Sequence, residues 1–205
     1  SKNLRHRMHV RPDGSKVYVT WGTGAGADVQ LAFRDAAGWH GPELACPKSV
    51  KAWEYAGVTA MSYGDAFVFC MFDDVWVARR EPGGVWDAPV QIVPLQTLKH
   101  IVAETDGGDI IHAVLRGEKV HYLHGDGNVW SQLFSLAPPP TTEAPVIALD
   151  SLWKPHVAWQ QWKKTGGVYS PAEVRYATGR NDQWTNGNDG VLVHPHADPA
   201  NPPEI

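Results

Sequence analysis

No apolar run in this chain is long enough to cross a bilayer, and no signal-peptide pattern stands at its start. Membrane insertion is therefore not expected. The sequence opens on Ser1 rather than Met, which leaves export open and is compatible with secretion or with display on a cell or virion surface. Basic residues are few and scattered: 18 Lys and Arg against 22 Asp and Glu give a net charge of −4, and no Lys/Arg run exceeds two residues. A nucleic-acid partner needs a basic face for the phosphate backbone, so that class is excluded. There are 2 cysteines, Cys46 and Cys70. They admit a disulfide without implying one, and two buried thiols are the expectation. Phosphate-cradling glycine loops, nucleophile elbows and CxxC pairs are also missing, and Gly24-Ala25-Gly26 has no helix behind it to supply a dipole. No cofactor is expected.

Tryptophan is what the chain has in excess, 10 in 205 residues, within an otherwise globular composition of 43% hydrophobic and 20% charged residues. Four of these rings mark a repeat. Trp39, Trp86, Trp130 and Trp184 follow one another at 47, 44 and 54 residues, and each is followed by a proline: Pro47, Pro94 and Pro138 at 8 residues, Pro195 at 11. A period of roughly 40 to 50 residues made of short strands is that of a β-propeller blade.

Period-2 alternation and turn residues cut each unit into four strands. The second strands read VYVTW, FVFCM, IIHAV and HVAWQ, nearly continuous apolar runs suited to burial on both faces. The third strands read DVQLAFR, DVWVARR, KVHYLHG and EVRYATG, alternating, with Val29, Val75, Val120 and Val174 at one shared position. The units are expected to stack face to face, with the recurrent Trp closing the turn into the fourth strand and the Pro ending the outer edge strand. The blades span about 7–47, 57–94, 100–138 and 145–195, and 196–205 reads as a Pro-rich tail or linker.

These repeats resemble those of sialidase-type propellers, which carry an Asp-box, Ser/Thr-x-Asp-x-Gly-x-x-Trp, between the third and fourth strands. Before Trp130 the box glycine is kept as Gly127, while Gly125 stands at the aspartate position with Asp126 beside it. Before Trp86 only Gly83 matches, and before Trp39 and Trp184 neither polar position is kept. The resemblance implies the fold and carries over no catalytic residue.

Loops leaving the second and fourth strands gather on one face of a propeller around its axis, the usual ligand face. This places Trp53, Tyr55, His100, Arg116, Glu118, Trp162 and Tyr169 together as candidate ligand-binding residues. Trp162 and Tyr169 lie in a segment, 161–172, that reads as an unusually long loop between the second and third strands of blade four. Rings beside charged and amide groups suit sugars, whose C–H faces stack on aromatics while their hydroxyls take hydrogen bonds. A glycosidase would need two facing carboxylates, or a Tyr activated by a Glu, with an arginine cluster for sialic acid. Glu54, Asp73, Glu118 and Glu143 fall on the right face, but Arg116, Arg5 and Arg7 are too few to form that cluster. His100 is the best base for a lyase. His194-x-His196-x-Asp198 has metal-ligand spacing, yet it reads as solvated tail, and no metal is expected.

The sequence thus predicts an all-β propeller of four four-stranded antiparallel blades, with a small closed ring preferred and part of a larger propeller as the alternative. The function it favours is a non-catalytic binding module whose partner is a glycan or a protein surface. A carbohydrate-active enzyme, hydrolase or lyase, is the alternative, and a structural element of a viral or cell-surface assembly is a third reading. Homo-oligomer formation is left open.

Overall fold

A computed structural model describes residues 6–11, 13–22, 28–47, 55–71, 74–94, 100–117, 119–136, 145–165, 168–180, 183–185 and 191–194. Within these, the side chains of 55, 162–165, 168–172, 180, 191, 192 and 194 are left undescribed. Trp53, Glu118, the tail 196–205 and most loops of the expected ligand face fall outside the described residues.

Four antiparallel sheets follow one another along the chain. Blade one comprises β1 (His6–Val10), β2 (Val17–Gly22), β3 (Val29–Asp35) and β4 (Gly38–Cys46). Blade two comprises β5 (Tyr55–Ala60), β6 (Ala66–Met71), β7 (Val75–Arg80) and β8 (Val90–Val93). Blade three is built of β9 (His100–Thr105), β10 (Ile111–Arg116), β11 (Val120–Gly125) and β12 (Phe134–Ser135). Blade four has β13 (Val146–Leu149), β14 (Pro155–Thr165) and β15 (Val168–Arg180), with its outer edge split between β16 (Gln183–Trp184) and β17 (Val191–His194), both paired with β15. The four-bladed all-β architecture is therefore as expected.

Register shows how the repeat works. Each marker Trp sits opposite the last part of its third strand, in the pairs Arg34 with Trp39, Arg80 with Trp86, Gly125 with Trp130 and Gly179 with Trp184. From there the rings of Trp86, Trp130 and Trp184 reach back to the preceding blade. Trp86 packs on the core between blades one and two, and Trp130 on the core between blades two and three, edge-on to Phe69 at 5.8 Å. Trp184 sits between blades three and four, 4.7 Å from the Tyr122 ring. Glu43 of blade one ties the first of these junctions, accepting from Arg80 Nε (2.6 Å), Arg80 Nη2 (2.8 Å) and Trp86 Nε1 (2.9 Å).

The turns between first and second strands repeat as well. Gly14, Gly64, Asp109 and Trp153 occupy the same turn position, all at positive φ. In blades three and four an aspartate fixes that turn: Asp106 Oδ1 accepts from the N–H groups of Gly108 and Ile110, and Asp150 Oδ1 from those of Leu152 and Lys154. The second carboxylate oxygen meets a histidine, Asp106 to His112 Nε2 at 3.4 Å and Asp150 to His156 Nε2 at 3.1 Å. Each histidine holds a third-strand tyrosine hydroxyl through Nδ1, His112 to Tyr122 at 2.6 Å and His156 to Tyr176.

Four expectations are corrected. Cys46 and Cys70 are not thiols but a disulfide, which joins β4 of blade one to β6 of blade two. Residues 161–172 do not form a long loop: β14 and β15 continue as a hairpin whose register pairs Trp162 with Pro171 and Lys164 with Tyr169. Relative to blade one, the second strands of blades two and four slip by one residue one way and that of blade three by one the other way, since Val19, Val68, Ala113 and Val157 are the residues that face Ala32, Ala78, Leu123 and Ala177. Finally, the closed small ring is not what the described residues form. They hold three inter-blade cores, one for each consecutive pair, and no core joining blade four to blade one.

Candidate functional site

The first strands β1, β5, β9 and β13 stand side by side in that order at the inner edge of the blades. Between them lies a cleft of about 340 Å³ that all four help to line. Its walls are mostly apolar, with Met8, Val58, Ile101 and Ile147 among them. Its polar groups are a guanidinium, Arg7, and a carboxyl, Glu104. Both sit on inner-edge strands, Arg7 on β1 and Glu104 on β9, which puts them at the cleft.

At the end nearest the expected ligand face, Arg7 Nη2 donates to the His100 ring, 2.7 Å from Nδ1, linking blade one to blade three. His100 is buried, and Arg116 pairs directly across from it. The structure thus sets two of the predicted site residues, His100 and Arg116, opposite each other on β9 and β10 and adds Arg7 against His100. Tyr55 opens β5, Trp162 lies on β14 and Tyr169 on β15; their side chains are outside what is described.

Two groups not singled out in the sequence stand further along, Glu104 in the cleft wall and His9 behind it. His9 is 4% exposed, and burial, reinforced by the charge of Arg11, pushes its pKa down to about 4. Glu104 opens into the cleft, and its removal from bulk water pushes the carboxyl up to about 7. The pair is 3.6 Å apart, beyond hydrogen-bond reach. At neutral pH the cleft therefore carries one fixed positive charge and a carboxyl that holds its proton more tightly than usual, with a neutral imidazole beside it. Such a site can donate and accept hydrogen bonds to hydroxyls without a large net field. Glu104 was legible in principle, as a lone acidic residue inside the apolar inner strand HIVAET.

A smaller cavity of about 130 Å³ opens among the turns at the other end of the axis, where Trp153 faces Arg11, Ser62 and Asp106. The Trp153 ring covers Gly107 so closely that a Cβ there would meet Cζ2 at 2.5 Å.

No protein-family model and no curated protein sequence matches this chain. Solved structures do. A Penicillium chrysogenum alpha-L-arabinanase complexed with arabinobiose superposes with a TM-score of 0.58 at 11% identity, over 87% of this chain and 63% of that one. A native Bacillus subtilis arabinanase gives 0.53 at 14% identity, over 97% and 83%. A Hadza microbial sialidase gives 0.59 at 10% identity, over 91% and 48%. At these identities the likeness is one of fold. The chain spans 63% of the Penicillium enzyme and 48% of the sialidase, less than two thirds of either.

Proposed function

We propose that this propeller is a non-catalytic glycan-binding module whose ligand enters the axial cleft. The observation that carries the proposal is the cleft itself, lined by the inner strands of all four blades, with Arg7 and Glu104 as its polar groups and apolar walls between them. Its volume lies in the lower range of small-ligand pockets. Apolar walls suit the C–H faces of a sugar, and a guanidinium with a carboxyl that holds its proton more tightly than usual suits its hydroxyls. The predicted aromatics Trp53, Tyr55, Trp162 and Tyr169 would extend the site outward by stacking, with Glu118 and Arg116 at the rim. Superposition on two arabinanases and a sialidase, enzymes named for carbohydrate substrates, supports the ligand class. The degenerate Asp-box reading of the outer turns draws support from Asp126, whose Oδ1 accepts from the N–H groups of Asn128 and Val129 and so shapes the turn before Trp130.

One observation favours the enzymatic alternative. A carboxyl pushed up to about 7 is matched to proton transfer at neutral pH. A two-carboxylate hydrolase would need a partner roughly 5 to 9.5 Å away, and Glu104 is the one carboxylate among the described lining residues. Screening the protein on a glycan array and then incubating each bound polysaccharide with it separates the two. Retention without new reducing ends or unsaturated products is expected; product release abolished by Glu104→Gln would establish the enzyme instead.

A further inference from the structure

The three inter-blade cores are built from the same register positions each time, and the chain carries one unfilled copy of each half. On the side facing blade two, blade three contributes Ala103, Ile111, Ala113, Leu115, Leu123 and Trp130. The matching positions of blade one, fixed by strand pairing, are Met8, Val17, Val19, Trp21, Ala32 and Trp39. All six are apolar, and none is buried: Met8 is 67% and Trp39 62% exposed. On its other side blade three offers Val102, Val114, Val120 and Tyr122 to blade four, where Trp184 lies against Tyr122. The matching positions of blade four are Val146, Ala158, Val174 and Tyr176, again apolar. Three of these, Val146, Val174 and Tyr176, remain partly exposed.

We infer that these faces are the two halves of a heterologous interface, and that blade four of one copy of this chain receives blade one of a second copy, with Trp39 seated on Tyr176 as Trp184 sits on Tyr122. The commitment to a second copy follows from continuity with the three interfaces already present. Each half-core is complementary to the other by position and by residue type, and within one molecule the described residues do not bring them together. In a repeat architecture each unit is stabilised by its neighbours, so an apolar blade face left uncovered takes one. A head-to-tail contact of this kind closes into a ring or extends into a chain.

The test is sedimentation velocity of the full chain from micromolar concentration upward, with Trp39→Glu as the blocking variant. Trp39 is mostly exposed, so the variant should keep its circular-dichroism spectrum, and Met8→Glu provides a second block at the inner edge. The wild type should at least double its weight-average mass as concentration rises, while each variant stays monomeric. Because Trp39→Glu keeps its blade-four face, an excess of it should cap the wild type as a one-to-one complex. Monomeric wild type at all concentrations would overturn the inference. So would undiminished association of both variants, or a wild-type dimer that Trp39→Glu cannot join, which would indicate blade one pairing with itself.

Discussion

Gly125 lies against the ring of Trp130, so close that a Cβ built on it would stand 2.8 Å from Cδ2. Gly179 stands in the same relation to Trp184, at 2.6 Å. The turn carbonyl is closer still, Val129 O at 2.4 Å from that Cβ and Gln183 O at 2.5 Å, so backbone and ring together demand glycine at these two positions. Gly125→Ala and Gly179→Ala should each lower stability by about 1–3 kcal/mol, the usual cost of forcing atoms into a packed site. Urea denaturation checks this; unchanged midpoints would mean that the two rings do not rest on the strand.

The four marker tryptophans should not be equal. Trp130→Ala removes a ring packed on the core between blades two and three and should cost about 3–5 kcal/mol. Trp39→Ala removes a ring that is 62% exposed and, in the monomer, should cost less than about 1 kcal/mol. Equal losses at the two sites in dilute solution would show that blade one is covered within the same molecule.

How much of this was legible in the sequence depends on how each strand is buried. The third strands alternate, so one face is marked, and the alignment of Val29, Val75, Val120 and Val174 stands in the structure. The second strands gave no such mark. β6 is buried at all six positions, and a run covered on both faces looks the same after a one-residue slip. The hairpin over 161–172 was hidden by Gly166-Gly167 and Pro171, which read as loop residues although the pairing passes through Pro171. The site was half visible: charged residues near the axis could be guessed from topology and Glu104 stands out as the lone acid of HIVAET, whereas its proximity to His9 emerges only from the folded chain. The aspartate, histidine and tyrosine of blades three and four were also hidden, because Tyr122 and Tyr176 lie at different distances from His112 and His156 along the chain.

The disulfide should matter to stability. Cys46 and Cys70 are fully buried, join two blades and close a segment of 24 residues. Loss of such a bridge typically costs about 2–4 kcal/mol. Cys46→Ala/Cys70→Ala should therefore melt well below the oxidised wild type, while a reductant should leave the native protein unchanged until it opens. A double variant with the wild-type melting temperature would count against the bridge.

Stability against pH should show two opposed contributions. His9 has its folded pKa lowered to about 4, so it binds fewer protons folded than unfolded between about 4 and its ordinary value of 6.5, and its contribution is lost as pH falls through that window. Glu104 has its folded pKa raised to about 7 from the ordinary value of 4.5, so it binds more protons folded, and its contribution is lost as pH rises through that window. Glu104→Gln removes the second contribution alone. Relative to wild type, that variant should gain melting temperature between pH 5 and pH 8. A constant difference across this range would mean that Glu104 is solvated like an ordinary carboxylate.

The most direct measurement of the proposed function is calorimetric titration of the best glycan from the array into wild-type protein and into Arg7→Ala. Arg7 lines the cleft and donates to His100, so its loss should weaken binding about tenfold or more while the melting temperature stays near that of the wild type. Saturable binding that Arg7→Ala leaves untouched, or the absence of any bound glycan, would contradict an axial glycan site.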